Sequence, residues 1–265
     1  DSLNREAQQL LSGFQSELQS MHAALRASQS ETRRLRSELE ALAAGDDPAA
    51  VTRIRSQLDS AEWRQRGLAD ASRVDFRGIA RTNADAVALV VIKFSASEIF
   101  SGTAFSVDSQ GTMVTNKHVL VGEDGSRQPL GIAVKFSGSR QWFQGRLLGV
   151  SDIADVGVFK VDIRGGTPRV AGFAPDPQEA QRGDPVAVIG YPLGEELPME
   201  GQGRTAVADP TLTVGTVSKV LSDLVQVDGY GAPGSSGSPV FDRDGRVVGV
   251  VYGGNRESQG KIVFA

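Results

Sequence analysis

The chain is 265 residues long, carries a formal net charge of −4 and contains no cysteine. That length holds one large or two modest domains, the missing cysteine excludes a disulfide framework and a thiolate zinc site, and the slight acidity gives no electrostatic footprint for nucleic acid. Its apolar runs fall far short of the roughly 20 residues that a membrane-spanning helix needs, and no secretion signal is visible at the amino end. The chain starts at Asp1 without a methionine, so an export signal or membrane anchor is expected to have been removed, and membrane attachment would run only through a segment outside this chain. No residue pattern calls for a cofactor or a metal.

The first 72 residues form a helical region. Asn4, Ala7, Leu11, Phe14, Leu18, Met21, Leu25, Ser28, Thr32, Leu35, Leu39 and Leu42 follow each other in steps of three and four, which is a heptad seam. The pattern predicts a helix over about 2–44, with Gly45 as its C-cap. Asp47 then serves as N-cap and Pro48 as the first residue of a second helix over about 48–70, with Val51, Ile54, Leu58, Ala61 and Leu68 on one face. At 1.5 Å per residue the first helix measures about 60 Å and the second about half that. The short connection permits an antiparallel hairpin that covers half of the first helix, and the remaining seam needs a partner. That partner is expected to be a second copy joined through residues 1–70, or another coiled-coil protein. Ser28 and Thr32 weaken the seam and can set its register. His22 lies beside the seam without companions that would make a zinc site.

Residues 73–83 are mixed and polar, and read as a linker. After Asp85 the pattern turns to short β-branched runs, beginning with Ala86–Phe94. Ser101–Val107, a turn at Asp108–Gly111 and Thr112–Val119 read as a hairpin whose second arm ends at His118. Val134–Phe136, Gln144–Val150 and Asp155–Val161 continue the series, the last opened by an acid. Phe173–Pro177 looks like a crossing between two halves. Pro185–Gly190, Thr211–Val220, Leu224–Asp228, Pro239–Asp242, Arg246–Tyr252 and Lys261–Phe264 supply the second set of strands, and Gly194–Asp209 lacks periodicity and reads as a surface loop.

Within these strands lies Gly234-Ser-Ser-Gly-Ser-Pro239. A hydroxyl nucleophile needs a sharp turn and small neighbours, and the glycines beside Ser235 and Ser236 supply both. The turn sits between strands, unlike the strand-to-helix elbow of α/β-hydrolases. With His118 and Asp155 upstream, the order His, Asp, Ser is one of the known orders of the serine triad. In that reading Ser236 attacks, His118 carries the proton and Asp155 orients the imidazole. The N–H groups of Gly234 and Ser236 would face the developing oxyanion. Asp152 and Ser235 are the rivals of Asp155 and Ser236. Asp155 directly precedes the apolar alternation, and the G-x-S-G frame centres on Ser236.

The stretches S-G-T-A-F, T-N-K-H-V, D-V-G-V-F-K-V, G-D-P-V-A-V-I-G-Y-P, V-G-T-V-S and P-G-S-S-G-S-P-V resemble the bacterial trypsin-like serine peptidases, the HtrA/Deg branch above all, over about Ala86 to Ala265. The resemblance implies a mostly β, chymotrypsin-like double β-barrel preceded by the helical coiled coil or hairpin. Residues 84–265 would be the protease domain, with barrel one at about 84–172 and barrel two at about 178–265. It further implies endopeptidase activity on protein or peptide substrates, and a bacterial periplasm or cell envelope location. His118, Asp155 and Ser236 match the triad positions. Ser235 stands where the family often has Asn, Ser238 where it often has Gly and Gly157 where Ala is more usual, while G-x-S-G-S-P-V also resembles the glutamyl endopeptidases. The specificity pocket would be formed by Tyr230, Gly231 and Ala232, facing Tyr252 and Gly253. Relatives usually carry a PDZ domain after the barrels, and none fits in this chain. The alternative is a catalytically silent protease fold acting as a protein-interaction module.

Overall fold

The computed structural model describes residues 23, 26–42, 48–71, 74–175, 180–194, 206–221, 224–229, 231–254 and 262–265. The chain divides into two compact units, Asp1–Val74 and Asp75–Ala265. The seam positions Asn4 to Met21, His22 and the expected caps Gly45 and Asp47 lie outside the described residues.

In the first unit, helix α1 (residues 26–42) packs against α2 (Pro48–Ala71). Leu35, Ile54, Leu58 and Ala61 are buried together, with Leu39 and Leu42 against them. The two polar seam residues, Ser28 and Thr32, are buried as well. Thr32 Oγ1 donates to the Ser28 carbonyl one turn back at 3.0 Å, so its hydroxyl is satisfied within the helix and asks nothing of a neighbour. Arg36 and Glu62 pair across the exposed edge at 2.6 Å, a contact worth less than about 1 kcal/mol at such exposure.

The second unit opens with a correction. The residues expected as a linker carry a helix, α3 (Phe76–Asn83), whose N-cap Asp75 accepts from the Gly78 N–H at 2.8 Å. Phe76, Ile79 and Asn83 are its buried face. Asn83 Nδ2 donates to the carbonyls of Ile79 (3.0 Å) and Gly245 (3.3 Å), and Asn83 Oδ1 accepts from the Ala171 N–H at 2.8 Å. A short polar helix with one buried amide looks like a linker in sequence, because its partners are 88 and 162 residues away.

Strands β1 (Val87–Lys93), β2 (Ile99–Ser106), β3 (Thr112–Thr115), β4 (Gly131–Phe136), β5 (Phe143–Val150) and β6 (Gly157–Val161) close a barrel in the order β1-β2-β3-β6-β5-β4. Its interior holds Val90, Ile92, Met113, Val134, Phe159 and Val161 among others. Here a second expectation fails. His118 does not end a strand; it lies in the short helix α4 (Lys117–Val121). Val119, Leu120 and Val121 are all buried, and three successive buried residues suit one helical turn better than a strand that alternates its faces. Gly122, at φ 78°, ends that turn.

Strands β7 (Pro185–Gly190), β8 (Thr211–Val220), β9 (Val225–Asp228), β10 (Pro239–Phe241), β11 (Val247–Val250), β12 (Gly253–Gly254) and β13 (Ile262–Phe264) form a seven-stranded sheet ordered β11-β10-β7-β8-β9-β13-β12. Its two edge strands follow one another in the chain. Only Val251 and Tyr252 separate β11 from β12, so the edges lie within about 10 Å and the sheet must roll nearly closed. Valines fill it: Val186, Val188, Val217, Val225, Val227, Val240 and Val251 are buried. The mostly β, double-barrel class expected from the sequence is what the strands form.

Candidate active site

His118 and Asp155 meet closely. The Nδ1 atom of His118 lies 2.6 Å from Asp155 Oδ2. The same carboxylate accepts the His118 backbone N–H on Oδ1 at 2.9 Å. One acid therefore grips both the main chain and the ring of one residue, which leaves the imidazole little freedom to rotate. Asp155 is held in turn: Asn116 Nδ2 donates to its carbonyl at 2.9 Å, and Lys117 Nζ ties the same loop through the Ser151 carbonyl at 2.9 Å. The sequence reading gave Asp155 its direction from the following strand. That strand begins only at Gly157, and the N–H groups at the start of α4 hold the carboxylate.

The electrostatics follow from this pairing. Burial, the largest influence on His118, disfavours its charged form, but the hydrogen bond and negative charge of Asp155, with a smaller contribution from Glu123, outweigh it and raise the pKa above the ordinary histidine value. Burial likewise pushes Asp155 up, and the donors of His118 and Lys117 together with the His118 charge outweigh it, holding the carboxyl below its usual range.

Ser236 sits in a double turn. Ala232 O accepts from the Ser235 N–H at 2.9 Å, and Ser235 O accepts from the Ser238 N–H at 3.0 Å. Gly234 (φ 94°) and Gly237 (φ 88°) occupy the third position of each turn, where a type II turn demands positive φ. A side chain at Gly234 would also lie 2.5 Å from the Tyr191 carbonyl. The Ser236 carbonyl accepts the Thr103 N–H at 2.8 Å. A Cβ added at Gly102 would stand 3.2 Å from both that carbonyl and the side chain of Val119, next to His118. Ser236 and α4 are therefore neighbours across β2. Among the described residues no hydrogen bond joins Ser236 Oγ to the His118 ring, and the N–H groups of Gly234 and Ser236 have no acceptor, whereas those of Ser235, Gly237 and Ser238 do.

Of the expected specificity residues, Tyr230 lies outside the described residues. Gly231, Ala232 and Gly253 are half-buried and Tyr252 is exposed. Tyr252 lines an open cleft of about 430 Å³ together with His118, Asp155, Glu123, Asp124 and Asp152; Gly231 and Ala232 are not part of that lining. The sequence reading passed over Asn116, Lys117 and Thr103. The first two flank His118 inside T-N-K-H-V and Thr103 lies in S-G-T-A-F, but nothing in those strings tells which side chains reach across the fold.

The sequence profile described as "Trypsin-like peptidase domain" matches residues 102–250. The chain is 29% identical over 153 residues to the "Serine protease Do-like HtrA" of Bacillus subtilis (strain 168), covering 57% of this chain and 32% of that protein. Among solved structures it is similar to the "HtrA-type protease AlgWS227A with tripeptide", with a TM-score of 0.58 at 24% identity, over 72% of this chain and 59% of that one. It is equally similar to the "serine endoprotease from Yersinia pestis", with a TM-score of 0.58 at 22% identity, over 72% of this chain and 61% of that one. The chain thus spans about a third of its curated relative and about three-fifths of these structures. At such identity the structures show the shared fold.

The two influences that raise the pKa of His118 most come from Asp155, so Asp155→Asn should leave burial in command and lower it. The sequence has two histidines, and their ring protons can be followed through an NMR titration, with His22→Asn giving the assignment. A His118 pKa that is unchanged or higher in Asp155→Asn would contradict the described pairing.

Proposed function

The chain belongs to the family of trypsin-like peptidase domains, and from that premise we propose that it is a serine endopeptidase acting through Ser236, His118 and Asp155. The observation that carries this reading is the 2.6 Å contact between His118 and Asp155, with the second hold of the same carboxylate on the His118 N–H. Neutral His118, donating its Nδ1–H to the Asp155 carboxylate, presents an unprotonated Nε2, which can accept a proton. Ser236 Oγ attacks the substrate carbonyl as His118 takes its proton. The tetrahedral oxyanion is received by the N–H groups of Gly234 and Ser236, which have no other acceptor among the described residues. His118, now charged and stabilised by Asp155, gives the proton to the leaving amine, and water then releases the acyl group by the same steps in reverse.

Specificity and assembly are part of the same proposal. None of Tyr230, Gly231, Ala232, Tyr252 and Gly253 is acidic, so a Lys or Arg side chain in the primary pocket would lack a counter-charge and cost several kcal/mol. Apart from His118 the protease region has no histidine to receive a glutamate. The pocket therefore suits small uncharged side chains such as Ala and Val. The helical unit joins copies of the chain, because the seam read from Asn4 onward runs further than α2, with its 24 residues, can cover.

Three measurements check these statements. A fluorophosphonate probe should label wild type at Ser236, and Ser236→Ala should abolish labelling and lower turnover by up to about a million-fold; equal proteolysis by both proteins, free of contaminating protease, rules out Ser236 as nucleophile. Mass-spectrometric profiling of cuts in a denatured protein mixture should show Ala or Val before the cut bond, and a dominant Arg, Lys or Glu there would overturn the pocket assignment. In light scattering the full chain should be larger than a monomer and residues 75–265 monomeric; a monomeric full chain at tens of micromolar removes the role in assembly.

A further inference from the structure

In the turn that holds Ser236 the four carbonyls from Pro233 to Ser236 are all tied. Pro233 O accepts from the Leu193 N–H. Gly234 O accepts from Thr103 Oγ1 at 2.9 Å. Ser235 O accepts from the Ser238 N–H at 3.0 Å and Ser236 O from the Thr103 N–H at 2.8 Å. In a planar trans peptide the C=O and the following N–H point in opposite directions. Binding of the Pro233 carbonyl by Leu193 therefore aims the Gly234 N–H away from Leu193, and the bond to the Ser235 carbonyl aims the Ser236 N–H in the same fashion. The two open donors are consequences of where the carbonyls are fastened.

Resting on the proteolytic reading above, we infer that Thr103 is a positioning residue that holds the oxyanion site in its open form. Its hydroxyl does two things at once. It donates to Gly234 O and accepts from the Tyr191 N–H, also at 2.9 Å. Tyr191 begins the turn in which Gly194 N–H returns to the Tyr191 carbonyl at 3.0 Å and from which Leu193 reaches Pro233. The one hydroxyl thus joins the oxyanion turn to the turn that orients it. A hydroxyl can serve as donor and acceptor together, which no apolar side chain of the same shape can. Thr103 is completely buried, so solvent does not replace it. Its own backbone is fixed by Thr115 Oγ1, which donates to Thr103 O at 2.7 Å.

The Tyr191 turn needs such a hold. Leu193 stands at φ 62°, the only residue other than glycine at positive φ among the described residues. A leucine there is strained and stays only because its surroundings fix it. Without the Thr103 hydroxyl, the Tyr191 N–H loses its acceptor and Gly234 O its donor. The Leu193 turn can then relax, the Pro233–Gly234 peptide is free to rotate, and the Gly234 N–H leaves the site. The catalytic pair His118–Asp155 is untouched by this change, since it is held by Asn116 and Lys117 instead.

The test compares Thr103→Val, which keeps shape and removes the hydroxyl, with Thr103→Ser, which keeps the hydroxyl. Thr103→Val should lower kcat on the best-cleaved peptide by about 10- to 100-fold while KM stays within about twofold, and should weaken a peptide aldehyde inhibitor by a similar factor, because the interaction lost is made in the transition state. Thr103→Ser should restore both to within about threefold, and the pH at which activity rises should not move in either variant. A folded Thr103→Val with wild-type kcat and aldehyde affinity, or one changed in KM alone, overturns the inference. Should Thr103→Val not fold, Thr103→Ala removes the hydroxyl without setting a methyl against the Tyr191 N–H and carries the same expectation. Fluorophosphonate labelling separates the two levels: an unlabelled wild type overturns the proteolytic reading and the role of Thr103 with it, whereas a labelled wild type with an equally fast Thr103→Val overturns the role of Thr103 alone.

Discussion

The candidate site depends on how closely the turn of Ser236 is pressed against β2. A side-chain carbon on Gly237 would collide with the Thr103 carbonyl and the Thr115 hydroxyl, and one on Gly234 with the Tyr191 carbonyl. Only backbone without side chains fits on both flanks. That closeness lets a loop of the second sheet receive hydrogen bonds from a strand of the first barrel, and it sets Ser236 beside the helix that carries His118. Neither half could bring these residues together alone: α4 and the approach to β6 supply His118 and Asp155, while the segment before β10 supplies Ser236. The two glycines therefore act twice, once in allowing positive φ and once in leaving room.

The electrostatics show a similar economy of means. Burial taken alone disfavours the charged form of both groups, raising the pKa of Asp155 and lowering that of His118. Their short contact reverses both tendencies, so the acid stays ionised and the imidazole is ready to accept charge. The reversal needs geometry as well as proximity. Because Asp155 Oδ1 is spent on the His118 N–H, Oδ2 is left facing Nδ1, which fixes the tautomer that leaves Nε2 open. A backbone hydrogen bond is the cheapest way to obtain that orientation, since the donor lies in the same residue as the ring to be oriented.

Much of this was legible in the sequence. Alternating β-branched runs, a glycine-framed serine, and a histidine and an acid in a known order led to the fold class and to the residues of the candidate site. The losses have one physical cause: they are contacts between residues far apart in the chain. Asn83 staples Ala171 and Gly245 across 88 and 162 residues, so the helix it belongs to resembled a polar linker. Thr103 reaches Gly234 across 131 residues, and a threonine on a β-strand needs no such partner to be explained. His118 was read onto a strand because T-M-V-T alternates up to Thr115; only the three consecutive buried residues after it, a tertiary fact, require a helical turn. Local pattern records which face is apolar, and it is silent on which polar atom crosses to another element.

Ser238 is where the sequence departs from the resembling family in a way that packing makes intelligible. Its hydroxyl is completely buried and, among the described residues, has no hydrogen-bond partner, a state that costs about 1–3 kcal/mol relative to a satisfied group. The family's more frequent glycine would avoid that cost. Here Gly190 makes the serine possible: a side-chain carbon on Gly190 would clash with Ser238 Oγ and stand 3.1 Å from Thr103 Oγ1. The hydroxyl thus fills the space that Gly190 leaves at the end of β7, one residue before Tyr191 and against the residue that ties the two turns together. A glycine at 238 facing a glycine at 190 would leave that space empty beside Thr103, and an empty volume costs the lining atoms their contacts. The unsatisfied oxygen and the missing side chain opposite it belong to one packing solution, in which an unpaired polar atom is accepted so that the space beside the Ser236 turn stays filled.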